Sequence, residues 1–537
     1  MTDTGSLNLQ WSQAMIAGFV AAGITDAVIS PGSRSTPLAL AMLRQPRLRC
    51  HVAIDERSAA FFGLGIAKAQ RRPALLLATS GTAPANWLPA IIEASHSGVP
   101  LIAISADRPP ELQACGANQT VNQSAMFAPH MRASHALGAP HPGFDPGYLH
   151  RLAAQIHEQA SWPYPGPVHI NQPFREPLLP VAPAVGDDIP ARLQAAHARP
   201  QPDAQQIAEL AKHLSGRPGV MVCGEMPANP GQNAALAELA SRLACPILAE
   251  PLSGLRFGPH DRSHVCVGYN RWLDAGAAHA FLKPEWILRF GAFPATRNLQ
   301  NYVSGNAAMH IVVDPWPRWI DPSRQITHLL RADPTAFCQD LLRKKLEPAA
   351  DGWLAAFSAQ EKRAMQDREP DHIAAVLDAL PAETALFIGN SLAIRQLDSL
   401  SGHADKTLHL YANRGASGID GNISTAAGIA SAKGRTVALI GDLTCQHDIG
   451  GLALTRGLDI VIVTVNNGGG GIFDYLPQHS LPEFIKGWRT PQEVDFEHAA
   501  LAFGLSYQCA QSTSGLHSAL GHALSSGGAH LIELKQL

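Results

Sequence analysis

Two rhythms of apolar positions alternate along the chain. Leu9, Ala14, Met15, Phe19 and Val20 recur at helical spacing and predict a helix over 8–23, and the short run over 26–30 predicts a strand that stops at Pro31-Gly32-Ser33-Arg34-Ser35-Thr36-Pro37. The alternation continues with a strand over 50–54 ending at Asp55-Glu56-Arg57-Ser58, a helix over 59–70, a strand over 73–79 and a Ser80-Gly81-Thr82 turn. A helix over 85–95 and a strand over 100–105 follow, closed by Ala106-Asp107-Arg108-Pro109-Pro110. Strands and helices alternating at this spacing predict a doubly wound parallel sheet, because parallel neighbours need a crossover and the crossover helices cover both faces.

The same order returns late in the chain. A strand ending at Ile440 leads to Gly441, Asp442 and Leu443, then a helix, then a strand over 460–465 that stops at Asn466-Asn467 and the glycines 468–471. The segment 63–82 lines up with 427–443 and the segment 98–107 with 457–467, so that Gly81 and Asp107 stand at the same separation as Gly441 and Asn467. The first and last thirds therefore read as copies of one α/β unit; the alternative is chance likeness between two β-α-β crossovers. Between them, 183–206 is Ala/Pro-rich without apolar period and reads as a linker, and strands near 219–223, 246–250, 286–290 and 310–313 form a third α/β unit. A charged, weakly periodic stretch over 346–370 reads as a second linker before a helix over 371–380. The expected division is 1–182, 207–345 and 371–537, all doubly wound parallel α/β.

Composition removes several function classes. A chain of 537 residues exceeds one core, and 46% hydrophobic residues with a mean hydropathy near zero describe a globular protein without a membrane span. Met1 to Gln10 lacks Lys, Arg and an apolar core, so no secretory signal is expected and the cytoplasm is the default compartment. A net charge of −3 with no basic run argues against nucleic-acid binding. The eight cysteines lack C-x-x-C spacing and read as small buried apolar groups, and the 24 histidines form no helical ligand pair.

Chemistry concentrates at the predicted strand ends. Asp442 and Asn467 offer hard oxygens, and the glycines beside them let bare backbone approach a phosphate or a cation, which suits a Mg²⁺-diphosphate. The alternative is an ordinary capping Asp beside a Gly-rich turn. Arg34, Arg108, Arg395 and Arg414 each follow a predicted strand, and planar bidentate donors in that place suit carboxylate ligands. A turn brace for Arg108 and a helix surface for Arg395 are the alternatives.

Asp442 followed by Asn466-Asn467 resembles the cofactor motif of thiamine diphosphate (ThDP) enzymes. The resemblance implies that Asp442, Asn467 and the Gly469 carbonyl hold Mg²⁺ or Mn²⁺, with Gly441 and Leu443 beside the diphosphate. It also calls for a carboxylic acid opposite the cofactor's aminopyrimidine, and Glu56 is the candidate, expected to be partly desolvated behind a short buried strand. Otherwise Glu56 is a helix N-terminal acid favoured by the macrodipole.

Seven stretches carry a narrower resemblance: Pro31–Pro37, Asp55–Ala59, Thr79–Asn86, Ser105–Leu112, Cys115–Thr120, Asn413–Gly421 and Phe496–Ala500. Together they are similar to the 2-succinyl-5-enolpyruvyl-6-hydroxy-3-cyclohexene-1-carboxylate synthases, which serve menaquinone or phylloquinone biosynthesis. The resemblance covers both end domains and the middle more loosely. It implies a pyrimidine-binding domain, a central domain and a diphosphate-binding domain, and decarboxylation of 2-oxoglutarate followed by addition to isochorismate. A homodimer with shared active sites is implied, with dimer against tetramer left open. Carried over residue by residue, Ser33 and Gln119 join Glu56 as catalytic groups, and Asn118 and Ser391 hold substrate with the four arginines. Ile419 props the cofactor in its bent shape, and Ile472 and Phe473 line the substrate site. Arg297 stands where relatives often have Lys, and Asn298 where some have Arg. No site residue is assigned over 477–492. Two other readings stand beside this one: a different ThDP 2-oxoacid decarboxylase or carboligase of acetohydroxyacid synthase type, and a non-catalytic diphosphate-binding regulator, for which G-x-G-x-x-G after the first strand would speak.

Overall fold

The computed structural model describes residues 3–181, 189–227, 229–274, 282–306, 308–366 and 371–536. Three six-stranded sheets, every pairing parallel, organise them. The first holds β1 (Asp26–Ile29), β2 (Arg49–Val52), β3 (Ala74–Ala78), β4 (Leu101–Asp107), β5 (Ala133–Ala136) and β6 (Pro167–Pro173) in the order β2-β1-β3-β4-β6-β5. The second holds β7 (Gly219–Cys223), β8 (Ile247–Ala249), β9 (Val265–Cys266), β10 (Trp286–Phe290), β11 (Met309–Val313) and β12 (His328–Leu330) in the order β12-β11-β10-β7-β8-β9. The third holds β13 (Ala385–Ile388), β14 (His409–Ala412), β15 (Thr436–Gly441), β16 (Ile460–Asn466), β17 (Ser506–Ala510) and β18 (Ala529–Lys535) in the order β14-β13-β15-β16-β18-β17. The first and third orders are the same permutation, with β3 and β4 matched by β15 and β16, as the internal likeness of the sequence suggests.

Strands such as Ala74–Ala78, buried at every position, are apolar without alternation because helices cover both faces. On one face of the first sheet, Leu75, Leu77, Ile102 and Ile104 pack with Met15, Ile16 and Phe19 of the helix Thr4–Ala22. The other face packs Leu76 and Ala103 with Phe61, Phe62 and Leu64, and the same apolar cluster runs on into Ala438, Ile440 and Ile462 of the third sheet. The bridge is a close crossing of the helices Glu56–Gln70 and Asn422–Lys433. A Cβ on Gly65 would lie 2.1 Å from the Thr425 carbonyl oxygen and one on Gly428 would lie 2.0 Å from that of Phe62, so only glycines allow this approach.

Several expectations are revised. The strand before Glu56 is an edge strand with little cover from its own chain: Val52 is 60% and Ile54 88% exposed. The stretch over 346–370 is not wholly a linker, since it contains the helix Trp353–Gln366, whose Phe357 and Ala364 are buried against Trp272 and Tyr302. Its charged face hid a narrow apolar stripe. The first linker has no helix or strand over 189–203, the helix Ala204–Leu214 begins at an Asp203 cap, and 183–188 lie outside the described residues. Cys223, Cys245, Cys266, Cys338 and Cys445 are buried, but Cys115 and Cys509 are exposed. Among the described residues no helix is long and apolar enough to cross a membrane.

Candidate active site

The carboxyl ends of β15 and β16 build the centre of the third-sheet site. Asp442 follows the strand directly and opens the helix Asp442–His447. Its Oδ2 accepts the Gly469 N–H at 2.7 Å and its Oδ1 the Leu443 N–H at 2.8 Å. The chain can fold back this far because Gly468 and Gly469 take φ of +75° and +120°, a region that L side chains avoid. A Cβ on Gly469 would also lie 2.3 Å from the Arg489 carbonyl oxygen. Asp442 is buried, and burial raises its pKa against the pull of those two N–H groups. The Gly469 backbone thus meets the Asp442 carboxylate, and carboxylate, amide and carbonyl oxygens of the kind that Asp442, Asn467 and Gly469 offer are a donor set that fits Mg²⁺ or Mn²⁺.

Sequence reasoning missed Arg489 here. Its guanidinium donates to the Asn467 carbonyl, lies 3.4 Å from the Asn467 amide oxygen and 3.6 Å from the Asp474 carboxylate. Nothing in its spacing marks it, because it comes from the turn Ile485–Arg489 that seals the glycine loop by accepting the Gly470 N–H.

Two arginines lie beyond the carboxyl ends of β13 and β14, close enough for the charge of one to act on the other. Arg395 lies in the first turn of the helix Leu392–Leu400, not on a strand end, and donates to the Ser391 carbonyl at 2.6 Å. Arg395 is exposed in the single chain, yet loss of water around its guanidinium and then the Arg414 charge lower its pKa. Arg414 follows β14 and donates to Asn390 Oδ1 at 2.6 Å. Ser391 takes φ +64°, ψ −124°, a conformation that costs energy for any residue with a Cβ and that gathers at ligand sites. Ile419, Ile472 and Phe473 are half-buried, with the Phe473 ring against the Gly470 backbone.

The first sheet presents a second group. Arg34 is buried, donates to the Phe174 carbonyl at 3.0 Å and pairs with Glu176 at 2.8 Å, so part of its charge is already answered. Burial and then the charge of Arg34 lower the pKa of Arg108, which donates to the Ser80 hydroxyl. Gln119 sits at φ +54° and donates to the Ser80 carbonyl at 2.8 Å, while Ser33 and Asn118 are exposed. Glu56 is the first residue of the helix Glu56–Gln70, three residues earlier than expected, behind the Asp55 cap. The buried strand expected before it is the exposed edge β2, so Glu56 is only half-buried in a single chain. Arg297 is exposed at the start of the helix Arg297–Gly305, and Asn298 is engaged with the Asn270 carbonyl at 2.9 Å.

Among the described residues, no hydrogen bond or ion pair joins the first-sheet group to the third-sheet group within one chain. A cavity of about 510 Å³ is lined by Arg108, and another of about 410 Å³ between the sheets by Arg414.

The thiamine pyrophosphate enzyme families match along the chain: the N-terminal TPP binding domain over residues 9–126, the middle domain over 192–388 and the C-terminal TPP binding domain over 399–534. The structure of benzoylformate decarboxylase from Polynucleobacter necessarius shares the fold, with a TM-score of 0.72 at 17% identity over 98% of both chains. The three family matches, in this order along the chain, make it a ThDP enzyme. Within that class the chain belongs to the 2-succinyl-5-enolpyruvyl-6-hydroxy-3-cyclohexene-1-carboxylate synthase family. It is 66% identical to the synthase of Dechloromonas aromatica (strain RCB) over the whole of both chains, and 39% identical to that of Geobacillus kaustophilus (strain HTA426) over 98% of this chain and 94% of the other.

Proposed function

We propose that this protein decarboxylates 2-oxoglutarate with ThDP and a divalent cation and adds the resulting succinyl carbanion equivalent 1,4 to isochorismate, giving 2-succinyl-5-enolpyruvyl-6-hydroxy-3-cyclohexene-1-carboxylate. The full-length relationship to synthases of that name carries the reading. When bound, ThDP supplies an acidic ring carbon that serves as nucleophile and electron sink. Overall one C–C bond breaks with loss of CO₂, one forms to the ring of isochorismate, and the ring takes up a proton.

The residues divide this work. Asp442, Asn467 and the Gly469 carbonyl hold Mg²⁺, or Mn²⁺ in its place, with Gly441 and Leu443 against the diphosphate. Glu56 shares a proton with the aminopyrimidine, and Ile419 supports the cofactor from below. Arg34, Arg108, Arg395 and Arg414 bind the carboxylates of the two acids, with Arg297 as a further cation from the second sheet. Ser33, Asn118, Gln119 and Ser391 hydrogen-bond the reacting groups, and Ile472 and Phe473 exclude water beside them.

Domains at 1–182, 207–345 and 371–537 provide pyrimidine-binding, central and diphosphate-binding units. Exposed Val52 and Ile54 beside Glu56 support a homodimer in which Glu56 acts on cofactor held by the partner's third sheet, with a homotetramer as a larger assembly. The cytoplasm is the proposed compartment and menaquinone synthesis the proposed route.

An assay with ThDP, Mg²⁺, 2-oxoglutarate and isochorismate, following CO₂ release and loss of isochorismate absorbance, tests this function. Isochorismate consumption that needs both ThDP and 2-oxoglutarate is expected. Turnover of pyruvate with none of isochorismate would instead identify a different carboligase. Arg395→Ala is expected to raise the KM for a substrate acid about 10- to 100-fold, the loss of one charged hydrogen bond. The Kd for ThDP, titrated by intrinsic fluorescence, stays within about twofold in that variant.

A further inference from the structure

The helix Glu56–Gln70 carries Glu56 in its first turn and Lys68 in its last, about 18 Å further along. Lys68 is 7% exposed at its side chain, donates to the Ala412 carbonyl at the end of β14, and lies 3.6 Å from Glu93. Glu93, on the helix Leu88–Ser97 of the first sheet, is 2% exposed. Its two oxygens accept the backbone N–H groups of Gly415 at 2.9 Å and Ala416 at 2.7 Å. Gly415 is pressed so closely that a Cβ there would lie 2.5 Å from the Glu93 carbonyl oxygen.

These contacts frame Arg414 on both sides. The backbone before it is held through Ala412 and the backbone after it through Gly415 and Ala416, while its guanidinium reaches Asn390. A carboxylate that accepts two backbone N–H groups beside an ammonium is well compensated where it is buried, and removing its charge leaves those donors and Lys68 poorly answered. The loop that carries a substrate arginine of the third sheet is therefore seated by side chains of the first sheet of the same chain.

We infer that Glu93, assisted by Lys68, is a positioning residue for Arg414, and that it serves the active site opposite to the one its own chain's Glu56 completes. This rests on the proposed shared dimer, in which Glu56 reaches the partner's cofactor while Arg414 stays with its own Asp442. One helix then spans from the acid of one site to the arginine loop of the other.

Glu93→Gln keeps the size, removes the charge and turns an amide N–H₂ toward a backbone donor. It is expected to raise the KM for 2-oxoglutarate or isochorismate about tenfold while kcat changes less than about threefold and the Kd for ThDP is unchanged. Lys68→Met shifts the same KM by a smaller factor and gives the readout if the first variant folds poorly. Native KM values in both variants, with native melting temperatures, overturn the positioning role.

Hybrid dimers isolated on two affinity tags test the crossing. An E56Q chain paired with an E93Q chain puts both lesions in one site, so the surviving site shows a native KM. An E56Q/E93Q chain paired with the unaltered chain leaves a surviving site built on the altered loop, so its KM is raised. The reverse pattern overturns the cross-site assignment. Failure of E56Q chains to complement D442A chains defeats the shared-site reading itself and leaves the E93Q homodimer result standing.

Discussion

Glu56→Gln lowers kcat by about 10²–10⁴ while the protein keeps its fold and its affinity for ThDP. The side chain opens a helix that is anchored elsewhere: by the Asp55 cap, by Arg57 on the His447 carbonyl at 3.1 Å, and by Phe61 and Phe62 in the core. A neutral amide of the same size leaves those anchors in place. It cannot exchange a proton with a ring nitrogen, and that exchange is the only role proposed for the residue. Steady-state kinetics at saturating ThDP, with a cofactor titration beside them, read both halves of the prediction. A kcat within about threefold of the native value would remove Glu56 from the mechanism.

Asp442→Ala weakens binding of Mg²⁺-ThDP by about 100-fold or more, given that even groups behind the ligands of a metal cost 10- to 100-fold when removed. Two effects combine. The anionic oxygen of the proposed cation site is lost, and the Gly469 N–H loses the acceptor that draws the glycine loop onto β15. Asp442→Asn separates them, because the amide oxygen still accepts from Gly469 while the charge is gone, and its affinity is expected to fall between the other two. Calorimetric titration of each variant with ThDP at fixed Mg²⁺ measures the series. Native affinity in Asp442→Ala would place the cation elsewhere.

The sequence carried much of this because the decisive signals are local. Continuous apolar runs such as Ala74–Ala78 and Ile460–Val465 announce strands buried on both faces, and the polar residues just beyond them mark where ligands gather in a parallel sheet. Asp442, Asn467 and Gly469 stand at such ends, and the fold brings the first and last of them into direct contact. What escaped depends on distance along the chain or on short, weakly patterned segments. Glu176 meets Arg34 across 142 positions, and Arg489 reaches Asn467 from a turn without apolar period. The segment 50–54 is apolar enough to read as buried, but it is an edge with Val52 and Ile54 exposed. Short edge strands such as Val265–Cys266 offer too few residues for any pattern. The helix Trp353–Gln366 shows only a thin apolar stripe among charges.

In the proposed dimer, one active site is assembled from the first sheet of one chain and the third sheet of another. Mixing inactive E56Q and D442A subunits, with exchange verified on two tags, tests it most directly in the ThDP, 2-oxoglutarate and isochorismate assay. Activity that neither parent has is expected in the hybrid, because one of its two sites combines an intact Glu56 with an intact Asp442. Verified hybrids as inactive as their parents would contradict it.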